Sequence, residues 1–137
     1  MSADHYIRPP VSNGHPREQA LIRRWWNEVH GARGRLVWEY YLGDYYLDAM
    51  WFPEASERGI EHSGVGAPTL FPISGVPVVL CEAKLRLTPE LIGQALVYGS
   101  FARRAGARVQ SIVIFANEAR PAFEAAAADL GLTVVVP

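Results

Sequence analysis

Residues 76–98 read VPVVLCEAKLRLTPELIGQALVY, and the organisation of the chain follows from how that stretch divides. The run from Val76 to Cys81 is almost wholly apolar, the pattern of a mostly buried strand, and it ends in charge at Glu82 and Lys84. Thr88 and Pro89 then supply an N-cap and a first-turn proline, which predicts a helix to about Ala105, ended by Gly106. Side chains two apart on a strand share a face, so Glu82 and Lys84 emerge together where the apolar run stops.

Working upstream, RLVWEYYLGDYYLDAMWF (35–52) is two aromatic and β-branched runs around Gly43-Asp44. This predicts an antiparallel hairpin of 35–42 and 45–52 with a type II′ turn. Tyr46, Asp48, Met50 and Phe52 are then expected on one face, where an acid is out of place. Pro16 opens a helix to about His30, with Ile22, Trp25, Trp26 and Val29 on its apolar stripe and Glu18 four residues before Ile22. Residues 1–15 are read as an N-terminal arm. Residues 53–75, which carry several Pro and Gly and little periodicity, are read as a long insertion in a single domain spanning 16–137. Downstream, VQSIVIF (109–115) is a buried strand, followed by a helix from about Pro121 to Leu130 and the strand LTVVV. The order α-β-β-β-α-β-α-β is that of an α/β protein: a mixed central sheet flanked by helices, with an extra C-terminal helix and strand.

Composition narrows the class. The chain has 137 residues, 50% hydrophobic and 20% charged, with a net charge of −1, so it is expected to form one globular domain without an overall basic field. No apolar run approaches a membrane span and no secretory leader is evident; with a single cysteine, Cys81, a reducing cytoplasmic location is expected. The four histidines show no zinc spacing, Gly64-Val65-Gly66 lacks the context of a dinucleotide loop, and Cys81 and the tryptophans are read as core. Of the 13 basic residues only Lys84 is lysine, and it falls two residues after a strand-end glutamate.

Asp48 belongs to a strand expected to neighbour that of Glu82. Two carboxylates from adjacent strands and a backbone carbonyl make an all-oxygen nest suited to a hard cation such as Mg²⁺. Asp48 followed by Glu82-Ala83-Lys84 resembles the signature of the PD-(D/E)xK nuclease superfamily. Gln94-Ala95-Leu96-Val97-Tyr98 on the next helix resembles the QxxxY motif of its RecB-type branch. The element order also resembles that superfamily's restriction-endonuclease-like α-β-β-β-α-β core, and the resemblance covers roughly residues 16–136. Leu47 stands where the superfamily's name has proline, and the gap from Asp48 to Glu82 is long.

The resemblance implies a Mg²⁺-dependent nuclease, with Mn²⁺ as a substitute, that hydrolyses DNA phosphodiesters through a metal-activated water. It implies Asp48, Glu82 and the Ala83 carbonyl as metal ligands and Glu18 as a ligand through water. Lys84 would activate water, Gln94 would steady Lys84 or a phosphate, and Tyr98 would contact the nucleic-acid backbone or brace Gln94. Arg23, Arg24, Arg33, Arg35, Arg103 and Arg104 are then the candidates for phosphate contacts. DNA is favoured over RNA as partner, with a homodimer or larger complex supplying specificity. The alternative is a nuclease-fold binding or assembly subunit of a larger nucleic-acid-processing or defence system that no longer cuts. A third reading is a structural α/β domain whose acids lie apart.

Overall fold

The computed structural model describes residues 15–42, 45–62 and 73–137. They form an α/β layer structure in the order α1 (His15–Glu28), β1 (Arg35–Leu42), β2 (Tyr45–Phe52), β3 (Gly59–His62), β4 (Pro77–Arg86), α2 (Pro89–Arg104), β5 (Arg108–Glu118), α3 (Pro121–Asp129) and β6 (Thr133–Val135). The six strands make one mixed sheet in the order β3-β1-β2-β4-β5-β6. β1 and β2 pair antiparallel over the expected residues, β2 and β4 pair antiparallel, and β4, β5 and β6 run parallel. The expected N-terminal arm and the Gly43-Asp44 turn lie outside the described residues.

Two apolar layers cover the sheet. Leu21, Ile22 and Trp26 of α1 pack with Leu36, Trp38, Trp51, Cys81 and Phe115 on one face. Leu91, Ala95, Tyr98 and Ala102 of α2 pack with Val37, Met50, Leu80 and Ile114 on the other, and Ala127 of α3 joins them. That placement follows from the parallel β4-α2-β5 and β5-α3-β6 crossovers, which keep one hand and so put both helices on one face. β4 is buried on both faces through Ala83 and exposed from Lys84 onward, so the core ends between those two residues. Thr88 caps α2 by accepting a hydrogen bond from the Leu91 N–H at 3.1 Å, as its sequence predicts. Among the described residues no helix is long and apolar enough to cross a membrane.

Three expectations are corrected. The 53–75 stretch is not without regular structure: Gly59–His62 forms β3, an edge strand parallel to β1, so four strands precede α2 where three were expected. Val29 is not on the buried stripe of α1 but 65% exposed, because the helix stops at Glu28. Asp48 does not share the face of Met50 and Phe52. Glu39 has φ +53°, a left-handed conformation inside β1, and Glu39 and Asp48 drop out of an otherwise continuous register. Trp38 and Ala49 therefore pack on the α1 side while Tyr40 and Leu47, on the other side of the break, pack on the α2 side. Such a conformation costs a glutamate about 1–3 kcal/mol and persists only where its surroundings impose it.

Candidate active site

The site begins where β2 and β4 part. Their ladder runs through Trp51↔Val79, Met50↔Leu80 and Ala49↔Cys81 and then stops, although β1–β2 and β4–β5 continue. Beyond that point two carboxylates take over the backbone groups. The Asp48 N–H donates to Glu82 Oε2 at 2.8 Å, and the Ala83 N–H donates to Asp48 Oδ2 at 2.8 Å. Asp48 opens toward α1, whereas Glu82 keeps the parity of Val78 and Leu80 on the α2 side, and the two meet across the gap. The N–H and C=O of one strand residue point to the same side, so the Ala83 carbonyl faces this gap as well.

Glu82 is 3% exposed and is the one buried charged side chain among the described residues. Burial pushes its carboxyl well above the usual range; the Asp48 charge adds to the rise, while the bond from the Asp48 N–H and the Lys84 ammonium oppose it. Asp48 is pushed up to about 7, again by burial first; the Ala83 N–H and Lys84 pull the other way, and Glu18 and Glu39 push with burial. Two acids are thus held together by backbone bonds that prevent them from moving apart. Only a proton or a cation relieves them.

The donor set fits a hard divalent cation. One oxygen of each carboxylate is occupied by a backbone N–H, and no hydrogen bond among the described residues reaches the other. Beside Asp48, a cleft of about 10 Å³ is lined by Glu18, Gln19, Ile22, Glu39 and Ala83, room for one water-sized sphere. Among the described residues no three His, Cys, Asp or Glu side chains converge as a ready-made metal cage. Two carboxylates and a carbonyl are nevertheless the kind of set Mg²⁺ uses, since it takes few protein ligands and fills its remaining positions with water and phosphate oxygens.

The other expected residues divide. Lys84 is exposed at the lip and shares a cleft with Glu18, Leu91 and Gln94, so β4, α1 and α2 bring these groups to one place. Tyr98, on the same helix as Gln94, is buried and packed against Tyr45 and Phe101. Burial first, and then the charges of Glu82 and Asp48, push its hydroxyl up to about 12, which puts it within their electrostatic reach. Glu39 lines the Asp48 cleft and is the acid that sequence reasoning missed. Its type and position in an aromatic run carried no signal, because only the left-handed backbone turns it there.

The arginines are distributed differently from expectation. Arg33 and Arg35 sit at the start of β1 and Arg103 and Arg104 at the end of α2, which is the sheet end opposite Lys84. Arg33 stacks over the Trp51 ring at 5.3 Å, and the Arg35 guanidinium donates to Glu57 Oε1 at 2.7 Å with its side chain only 14% exposed. Arg23 lies 5.8 Å over Trp38, and Arg24 lines an apolar groove of about 240 Å³ beside Trp25. The cleft of Lys84 is lined instead by Arg86, two residues along the same strand, and a second cleft that shares Arg86 is lined by Arg120 at the start of α3.

Fold and site together define an α/β protein whose central strands separate around a carboxylate pair, one buried and one half-buried, with a lysine at its rim. No protein-family model, curated protein or solved structure matches the chain.

Proposed function

We propose that this chain is a divalent-metal-dependent phosphodiester hydrolase acting on nucleic acid, a nuclease with the restriction-endonuclease-like core that its sequence resembles. The observation that carries the reading is the reciprocal bonding of Asp48 and Glu82, which holds a buried and a half-buried carboxylate beside the Ala83 carbonyl, next to Lys84 in the strand. Asp48, Glu82 and the Ala83 carbonyl would hold the cation, and Glu18, on the wall of the same cleft, would reach it through water. Bound there, Mg²⁺ or Mn²⁺ supplies Lewis acidity toward a phosphate oxygen and an attacking water.

The remaining groups act on charge and position. Lys84 holds the attacking water and offsets the negative charge that builds on the phosphate. Gln94, exposed on the same cleft, presents an amide donor to Lys84's neighbourhood and to a phosphate oxygen. Tyr98, with its pKa at about 12, stays protonated at any physiological pH and serves as an O–H donor under Gln94, one helical turn away. DNA is the substrate that the resemblance implies.

The test is cleavage of linear and circular DNA, single- and double-stranded, with Mg²⁺, Mn²⁺ or EDTA, beside Lys84→Ala. Metal-dependent cutting that disappears in the variant is the expected result; equal cutting by folded Lys84→Ala would sink the assignment. A second reading, a nuclease-fold binding or assembly module that does not cut, draws on the chain's 137 residues and net charge of −1, which suit a subunit of a larger system. It predicts no thermal stabilisation by Mg²⁺ or Mn²⁺, whereas the first requires one.

A further inference from the structure

The strand ends that carry the site open onto a longer groove. A cleft of about 520 Å³ begins at Glu18, Lys84 and Gln94, and a second of about 620 Å³ runs on to Arg120 and Phe123. The two share Arg86 and Thr88, so they form one path. This path lies outside the carboxyl ends of the parallel strands β4 and β5, the edge at which open α/β sheets bind ligands.

Its lining combines charge with an aromatic face. Lys84, Arg86 and Arg120 follow one another along it, against the carboxylates of Glu18, Glu90 and Glu118. The Arg86–Glu118 contact is loose at 3.6 Å, with the two side chains 77% and 72% exposed, so a phosphate exchanges for Glu118 at little cost. Arg120 lies 6.0 Å from the centroid of the half-buried Phe123 ring. Arginine and phenylalanine together make a platform for a planar π-system.

We infer that this groove is the path of a single nucleic-acid strand, its phosphates on Lys84, Arg86 and Arg120 and an unpaired base stacked at Phe123. The inference rests on reading Asp48 and Glu82 as a phosphodiester-hydrolysis site and adds the strandedness and course of its substrate. One magnitude and one geometric condition favour one strand over a duplex. Three cations are few beside the roughly 6–10 phosphate contacts behind strongly salt-dependent duplex binding. An aromatic face is open only to a base whose own faces are free, and a paired base inside a stack has none to offer.

The experiment is fluorescence anisotropy of a short fluorescein-labelled oligodeoxynucleotide, single-stranded and as its duplex, titrated with the intact chain in EDTA. The single strand binds more tightly, with log K against log salt falling at a slope of about −2 for three phosphate contacts. Arg120→Ala lowers that slope by about 0.7. Phe123→Leu, which keeps the packing against the core but removes the ring, weakens binding roughly tenfold. Arg108→Ala, exposed at the start of β5 and so at the opposite end of the sheet, changes nothing. Tighter binding of the duplex, no binding of either form, or unchanged binding by Arg120→Ala and Phe123→Leu overturns the inference. EDTA excludes cleavage, so a failure here is separate from a failure of the metal-dependent reading, which only the cutting assay addresses.

Discussion

Asp48 and Glu82 each satisfy a backbone N–H on the other's strand, at 2.8 Å in both directions. The pair therefore has two roles that oppose one another. As acceptors, the carboxylates replace the ladder bonds lost where β2 and β4 separate, and hydrogen bonds to charged groups are each worth about 1.5–3 kcal/mol. As neighbouring anions in a poorly solvated gap, they repel, and burial outweighs the hydrogen bonds in setting both pKa values.

Asp48→Asn and Glu82→Gln keep an acceptor oxygen for the backbone N–H while removing one charge. In EDTA at pH 8 either variant is expected to melt at or above the wild-type Tm. Both lose Mg²⁺-linked stabilisation, and cleavage falls by more than about 100-fold. Differential scanning calorimetry with and without Mg²⁺, beside the cutting assay, checks all three.

The pH dependence of the metal-free protein has a definite sign. Asp48 rises from an ordinary 3.8 to about 7, and Glu82 rises well above 4.5, so the folded state binds more protons than the unfolded one. Their contribution is fully present below about pH 4 and is lost as the pH rises through about 7, with Glu82 extending the loss upward. In EDTA the Tm should fall across this window, and the fall should shrink in Asp48→Asn. Mg²⁺ replaces the protons, so its affinity should climb over the same range. A metal-free Tm that rises from pH 5 to pH 8, once compared with Asp48→Asn, would falsify the coupling.

Lys84 is exposed and lies just past the buried part of β4, so Lys84→Ala should change stability by no more than about 0.5 kcal/mol. Cleavage should nevertheless drop by about 10²- to 10⁴-fold if the ammonium acts on water or on phosphate charge. Mg²⁺-linked stabilisation should survive, which separates Lys84 from the carboxylates.

Gly34 tests the fold without touching the site. It has φ +72°, and a Cβ there would collide with the Phe52 carbonyl oxygen and with Pro53. Gly34→Ala is expected to destabilise by about 2–4 kcal/mol, read from denaturant midpoints, because the obstruction is backbone and cannot swing aside.

Legibility varied with how local the cause was. The hairpin strands and the capped helix α2 were readable because their patterns repeat within a few residues: apolar runs around Gly43-Asp44, and Thr88-Pro89 ahead of an apolar stripe. β3 was not readable. Four residues are too few to display a period, and what makes Gly59–His62 a strand is its parallel ladder on β1, more than 20 residues away. The placement of the arginines was not readable for a related reason, since only the topology decides which end of the sheet each one reaches.

The sequence by itself determined an α/β chain, the hairpin, the buried β4 run that ends in Glu82-Ala83-Lys84, and α2 carrying Gln94 and Tyr98. These depend on side-chain period, capping and turn chemistry, which act over one or two turns of chain. The tertiary structure decided that β2 and β4 part after Ala49 and Cys81, that Glu39 turns left-handed, and that Asp48 and Glu82 cross the gap to each other's backbone. It also decided that Arg86 lines the cleft of Lys84 and Arg120 the adjoining one, while Arg103 and Arg104 lie at the other end of the sheet. Such relations are between residues far apart in the chain, and they exist only once packing has set where each strand pairs and where it stops.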